Sequence, residues 1–237
     1  MLMLASLVLI PLILYYPSLK YGFLSVLDDE WLILGNEGIK DFSIHGIINL
    51  FLHDKKDLHY MPVTYVSLSI DYFFFGLNPF WMKMHNLILH IISGVLVFVF
   101  INLLVKNKQI AFLISFIFLI HPMNIESVVW ASSRKQGLFF SYFMASIICY
   151  KLYLENYYKR KNILLYLLAF LFWIIGTMAK TTAITLPAVF ILIYIHHHRK
   201  ISNLKKLALH ILPMMPVVLL FWYLNTEANS RNMLIRN

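Results

Sequence analysis

The chain has 237 residues, of which 60% are hydrophobic and only 13% are charged. Soluble domains are about half apolar and a quarter charged, so this composition excludes an ordinary soluble protein and predicts an all-α integral membrane protein. A formal charge of +9 would suggest a nucleic-acid partner in a soluble protein, but here the basic residues fall in loops between apolar segments. There they set membrane orientation, and we expect no nucleic acid.

Seven apolar segments are predicted to cross the bilayer, since a span needs roughly 17–25 mostly apolar residues. They are residues 2–16, 87–105, 110–120 with an extension, 138–153, 163–178, 183–195 and 207–224. The first lacks the basic start and cleavage site of a signal peptide and is interpreted as a retained span. The third is too short to cross about 30 Å of hydrocarbon at about 1.5 Å per residue. It must continue through residues 121–130 or stop inside a cavity lined by protein.

Basic residues predict the orientation of these spans. Lys106 and Lys108, residues 159–161, and residues 199–206 fall on one side of the predicted bundle, which the positive-inside rule makes cytoplasmic. The first loop, residues 17–83, the loop at residues 121–136 and the turn at Lys180 then face outward.

Residues 61–75 (MPVTYVSLSIDYFFF) are nearly long enough to be an eighth span, which would reverse the side of everything before them. Asp71 in the middle is costly in lipid, at about 2.5–3.5 kcal/mol on insertion scales. We therefore interpret this segment as an interfacial helix on the outer face, with residues 44–52 as a second, shorter one.

Asp28 and Asp29 directly follow the first span and are flanked by apolar residues. Two adjacent carboxylates near the membrane surface are one way to hold a general base there. Their spacing alone favours the alternative of a solvated helix cap.

The loop HPMNIESVVWASSRKQ carries His121, Glu126, Arg134 and Lys135. Arginine presents a planar fork to phosphate and lysine a point charge, so the pair indicates a phosphate-bearing head group. Glu126 would orient His121 or hold a hydroxyl. Topology and loop solvation are the alternative, although they explain positive charges in an outer loop poorly. Lys180 is likewise a positive charge on the outer side, in a turn before a helix start that Thr181 or Thr182 can cap.

His85 and His90 are five residues apart and diverge around a helix, which disfavours a metal site that includes both. Asn86 and His90 share a helix face and are expected to hydrogen-bond within a bundle. The sequence contains no convincing metal site, and it leaves a divalent-metal requirement open.

Four motifs in this order resemble the multispanning GT-C glycosyltransferases, and among them the protein O-mannosyltransferase-like group. The likeness is greatest to the transmembrane and tetratricopeptide-repeat O-mannosyltransferases and their bacterial relatives. The motifs are DDEWLILGNEGIKD (residues 28–41), YMPVTYVSLSIDYFFFGLNPFWMKMHNLILH (residues 60–90), HPMNIESVVWASSRKQ (residues 121–136) and MAKTTAITLP (residues 178–187).

The resemblance implies a single GT-C membrane module over residues 1–237, with two juxtamembrane helices in its first external loop. It implies inverting transfer of mannose or a similar hexose from a polyprenyl-phosphate donor to a protein or glycan hydroxyl. This would occur at the extracytoplasmic face, with a bacterial inner membrane as the expected location. Asp28 maps to the catalytic base with Asp29 beside it. Arg134, Lys135 and Lys180 map to the donor phosphate, and Tyr60, His85, Asn86, His121 and Glu126 to the cavity and acceptor.

Two departures from the group's pattern predict limits on this activity. Met61 stands where members often carry arginine, and the chain ends at Asn237 without the usual C-terminal repeats. The expected explanations are a truncated gene, a fragment, or a subunit that needs a partner. A non-catalytic scaffold or lipid-head-group binder is the alternative.

Overall fold

The computed structural model describes residues 2–24, 27–52, 60–155, 162–198 and 204–235. These residues form α-helices, short helical turns and loops without any β-strand, which confirms the all-α prediction. The helices are α1 (Leu2–Tyr15), α2 (Ile44–Leu52), α3 (Pro62–Phe75), α4 (Pro79–Val105), α5 (Lys108–Ile120), α6 (Ile125–Val129), α7 (Arg134–Glu155), α8 (Asn162–Ala179), α9 (Leu186–His198), α10 (Leu204–Ile211) and α11 (Met215–Ile235).

Five helical segments within the described residues are long and apolar enough to cross a membrane: Leu2–Lys20, Pro79–Val105, Ala131–Glu155, Thr181–His198 and Leu207–Thr226. A sixth is possible in the pair Lys108–Ile120 and Pro122–Val129, which is bent by 55°. The remaining predicted span, residues 163–178, falls on the shorter apolar helix Ile163–Ala179. The predicted count of seven is therefore not confirmed. Basic residues 159–161 and 199–200, used above for orientation, lie outside the described residues.

The chain divides into two compact units, Met1–Asp54 with Pro62–Ser141, and Lys55–Met61 with Tyr142–Asn237. In the first unit α1, α4 and α5 pack against one another around a core that includes Tyr15, Leu87 and Val128. In the second unit, side chains of one segment form hydrogen bonds to the backbone of the next. The Trp173 indole N–H, for example, donates to the Ala183 carbonyl at 2.8 Å.

The sequence FFGLNPF explains the junction between α3 and α4. Gly76 has φ +61° just past the end of α3, a left-handed conformation that glycine adopts without strain. Asn78 then caps α4 by accepting from the Phe80 N–H at 3.0 Å, and Pro79 occupies the first helical position. Helix α4 thus begins at Pro79, eight residues before the predicted start at Leu87. His85 and Asn86 consequently lie inside a membrane-grade helix.

Helix α5 ends at Ile120 because Pro122 has no N–H to donate to the Phe118 carbonyl. Side chains satisfy the carbonyls that this break exposes. Asn124 donates to the Phe118 carbonyl at 2.7 Å. Tyr15 and His90 both bond to the Leu119 carbonyl, at 3.2 and 3.0 Å. These bonds satisfy carbonyls at the end of a 13-residue helix that is only about 20 Å long.

Helix α3 has only 14 residues, too few for a span. Its polar residues Thr64, Ser69 and Asp71 are buried, while Phe73 and Phe74 are exposed. An apolar outer face over a polar inner face favours the interpretation of α3 as a helix at the membrane interface.

Gly94 permits the close packing of α4 on α5, and we expect Gly94→Ala to destabilise the first unit. A Cβ at Gly94 would lie 2.5 Å from Cγ of the buried Leu119. Overpacking of this kind typically costs about 1–3 kcal/mol. Unfolding of the purified protein in detergent measures the effect. Gly22→Ala is the matched control, because a Cβ there meets nothing within 4 Å. Equal stability of the two variants would contradict the prediction.

Candidate functional site

Asp28 and Asp29 have different surroundings, although they are adjacent. The Asp29 side chain is fully buried, and its two carboxylate oxygens accept from the Leu24 and Ser132 N–H groups at 2.9 and 2.8 Å. Asp28 is half-exposed, and its Oδ2 lies 3.0 Å from Nζ of Lys135. Asp29 thus fixes the backbone between α1 and the loop before α7, whereas Asp28 presents a carboxylate at the surface.

Arg134, like Asp29, is a charged residue of the first unit with no exposed surface. Its Nε donates to Asn86 Oδ1 at 2.6 Å. Nη1 lies 2.8 Å from Ser67 Oγ and 3.0 Å from His85 Nδ1. Nη2 donates to Asp71 Oδ2 and to the Met82 carbonyl. The five N–H donors of the guanidinium therefore face acceptors of the protein, so a donor phosphate at Arg134 would have to displace them.

This Arg134 cluster (Ser67, Asp71, Met82, His85, Asn86 and Arg134) joins three helices. Ser67 and Asp71 lie one turn apart on α3, and Met82, His85 and Asn86 lie one turn apart on α4. Helix α7 begins four residues before the predicted start at Leu138, and Arg134 is its first residue. The structure thus places Arg134 in a structural role, and its role as a phosphate ligand remains only a sequence-based prediction.

The loop before α7 is fixed from two sides. Asn86 donates to the Trp130 and Ala131 carbonyls at 2.9 and 3.3 Å, and Asp29 holds the Ser132 N–H. Asn86 was predicted at the cavity, but it is 1% exposed and acts within the interior. With its loop held, the first turn of α7 directs Arg134 inward and brings Lys135 to Asp28.

Lys83 and Asp71 are two further buried charges of the first unit, and neither was predicted from the sequence as a site residue. Lys83 is buried on α4 and donates to the Tyr21 and Gly22 carbonyls, both at 2.9 Å. Asp71 was treated only as a cost in lipid, but it is buried beside Arg134 and His85. Their signal in the sequence is that each is a lone charge within an apolar run.

A surface groove of about 520 Å³ lies beside the acidic pair. Its lining residues are Leu24, Pro122, Met123, Ile125, Glu126, Val129 and Trp130. Leu24 belongs to both features, since its N–H binds Asp29. Glu126 lines this groove together with apolar residues and Trp130, and its role toward an acceptor stays a prediction. His121 is exposed and accepts from the Met123 N–H at 3.2 Å, which caps the turn after α5.

Two buried donors in the same loop have no acceptor among the described residues, namely the Trp130 indole N–H and the Ser132 hydroxyl. Buried polar groups are rarely left without partners in native proteins. Both are positioned within the segment that joins the groove to Arg134 and Lys135.

Tyr60 and Lys180 belong to the second unit. Lys180 is partly buried and precedes the 3₁₀ turn Thr181–Thr185, so α9 begins only at Leu186. Thr181 does not cap this turn as predicted, because its hydroxyl donates to Asn225 Oδ1 at 2.8 Å. Among the residues that the structure describes, no group of three or more His, Cys, Asp or Glu side chains is arranged to hold a metal ion.

Comparison with known proteins finds similarity to protein O-mannosyl-transferases at low sequence identity. The chain is 27% identical over 155 residues to mouse protein O-mannosyl-transferase TMTC1, covering 60% of this chain and 16% of the relative. It is 26% identical over 145 residues to human protein O-mannosyl-transferase TMTC3, covering 57% and 15%. It is 26% identical over 187 residues to Drosophila melanogaster protein O-mannosyl-transferase Tmtc1, covering 73% and 20%. No family model and no solved structure matches.

These matches support an O-mannosyltransferase-like relationship at the family level. The chain spans at most about a fifth of the length of these relatives. The similarity therefore concerns a membrane segment of much longer proteins, and it does not carry their whole activity to this chain.

Removing the partner of Arg134 is expected to destabilise the first unit strongly. Asp71→Asn keeps the shape of the side chain but leaves a fully buried guanidinium without its counter-ion. Breaking a buried pair in this way typically costs about 3–5 kcal/mol. Unfolding in detergent measures the loss. Glu37→Gln is the control, because it breaks an exposed pair with Lys40 and should change stability by less than about 1 kcal/mol. Similar stabilities of the two variants would contradict a structural role for Arg134.

Proposed function

We propose that this chain is a membrane glycosyltransferase of inverting GT-C type. It transfers mannose or a similar hexose from a polyprenyl-phosphate donor to a protein or glycan hydroxyl at the extracytoplasmic face. The observation that carries the proposal is the Asp28–Lys135 pair, which places a proton acceptor 3.0 Å from a cation at the surface of the first unit. The similarity to O-mannosyl-transferases supports the same reaction class.

In this reaction the acceptor oxygen attacks the anomeric carbon of the sugar and loses its proton to Asp28. The bond from the anomeric carbon to the phosphate oxygen breaks, and its electron pair leaves with the polyprenyl phosphate. Lys135 stabilises the negative charge on the departing phosphate. Attack from the face opposite the phosphate inverts the anomeric configuration.

The remaining residues support these two groups. Asp29 holds the backbone next to Asp28, and Arg134 holds the helix turn that carries Lys135. The groove beside them offers Glu126 and Trp130 to an acceptor, and a carboxylate with an aromatic face is suited to hydroxyl-rich ligands.

The proposal predicts that Asp28→Asn lowers the transfer rate at saturating donor by at least a hundredfold. General-base catalysis contributes about 10² to 10⁴ in rate, and the amide accepts no proton. The assay uses purified protein with a panel of polyprenyl-phosphate sugars and hydroxyl acceptors. Glu37→Gln is the matched control, because it too removes the charge of an exposed carboxylate paired with lysine, and it should retain full turnover.

Lys135→Gln tests the phosphate contact separately. A charge-assisted bond to phosphate is worth roughly 1.5–3 kcal/mol, so donor affinity should fall at least about tenfold. Full turnover in Asp28→Asn would exclude Asp28 as the base and leave Glu126 as the next candidate. Donor binding without transfer to any acceptor would favour the alternative of a lipid-head-group binder.

Thiol labelling tests the proposed face. With Cys149 replaced by serine, single cysteines at the exposed positions Leu27, Met123 and Lys108 are treated with a membrane-impermeant reagent in intact cells. Leu27→Cys and Met123→Cys should react from outside, and Lys108→Cys only after permeabilisation. Labelling of Leu27→Cys and Met123→Cys from opposite sides would mean that α3 spans the membrane or that α5 does not. In either case the proposed site would be divided between the two faces.

A further inference from the structure

Six charged side chains meet in the first unit, and only two of them keep appreciable exposed surface. Asp29, Asp71, Lys83 and Arg134 are each at most 3% exposed and are bonded within the protein. The side chain of Asp28 is 49% exposed, and that of Lys135 is 18% exposed. The Asp28–Lys135 pair is therefore the ion pair of this group that a ligand can reach directly.

We propose that Lys135 serves two anions in turn, pairing with Asp28 until the phosphate of a lipid-linked donor takes its place. The inference rests on the proposed function and adds an order of events to it. While the pair exists, the ammonium group binds Asp28 Oδ2, and its positive charge makes the carboxylate a weaker proton acceptor. When Lys135 moves to the phosphate, that oxygen becomes available. Donor binding thus prepares the base, and an acceptor arriving first finds Asp28 engaged.

The chemistry of the two partners favours such an exchange. A partly exposed ion pair contributes little stability, so breaking it costs little. Phosphate offers more oxygens and more negative charge than a carboxylate, and its bonds to a cation are strong. Lysine suits the task because its compact ammonium group sits on a flexible four-carbon stem. Arg134, one residue away, is fixed by the protein at every donor and cannot move in the same way.

A double-mutant cycle on binding of polyprenyl phosphate without sugar tests the exchange apart from any turnover. The proteins are wild type, Asp28→Asn, Lys135→Gln and the double variant, each folded in nanodiscs. If Lys135 must leave Asp28 to bind phosphate, Asp28→Asn frees it in advance and tightens binding. In the Lys135→Gln background, Asp28→Asn changes the affinity only by removing the repulsion between the Asp28 carboxylate and the phosphate. We expect Asp28→Asn to tighten binding about two- to fivefold more when Lys135 is present.

Equal effects of Asp28→Asn in both backgrounds would overturn the exchange. A weaker affinity of Asp28→Asn confined to the Lys135 background would also overturn it, since Asp28 would then hold Lys135 in place for phosphate. Asp28→Ser gives a second, independent measure of the same coupling, and Glu37→Gln should leave the affinity unchanged. Absence of polyprenyl-phosphate binding to the wild type would instead refute the proposed function, so the two failures are distinguishable.

Discussion

The buried Arg134 guanidinium is the interaction on which the architecture of the first unit depends. A charge without exposed surface is tolerated only when counter-ions and acceptors surround it. Asp71 supplies the opposite charge, and Ser67, Met82, His85 and Asn86 supply the remaining contacts. Because these acceptors come from α3 and α4, the arginine can be buried only when both helices are docked against the start of α7. Helix α3, too short to span a membrane, packs against the 3₁₀ turn Glu37–Lys40 and α2, and the Arg134 cluster ties it in addition to α4 and α7.

The same requirement sets the position of the surface pair. Asn86 uses one end of its amide for Arg134 and the other for the Trp130 and Ala131 carbonyls, so the cluster and the preceding loop are ordered together. Asp29 binds the same loop through the Ser132 N–H. With the loop held at both ends, the next helical turn brings Lys135 to Asp28. Buried charge thus supplies rigidity one residue away from the charge that we propose meets the substrate, as a preorganised site requires.

Much of the fold could be predicted from composition and periodicity, whereas the pairing of charges could not. The apolar runs identified helical segments, whereas the end of α5 before Pro122 was not predicted from the proline. Helix starts were placed too late at α4 and α7, because Lys83 and Arg134 were taken as marks of a loop. A hydropathy pattern treats a charge as a span boundary, yet each of these charges is neutralised or bonded by residues far away in the sequence. Which partners a buried charge finds depends on tertiary packing, which local patterns do not encode.

The adjacent carboxylates of DDEW have different surroundings, and their catalytic roles stay a prediction from the sequence. Both oxygens of Asp29 are taken by backbone N–H groups, while Asp28 faces Lys135 at the surface. The reason is geometric, since consecutive side chains on a helical turn point about 100° apart. If one faces the packed loop, its neighbour points away from that loop, so a tandem acid pair at the end of a span places one carboxylate in the interior and the other at the surface.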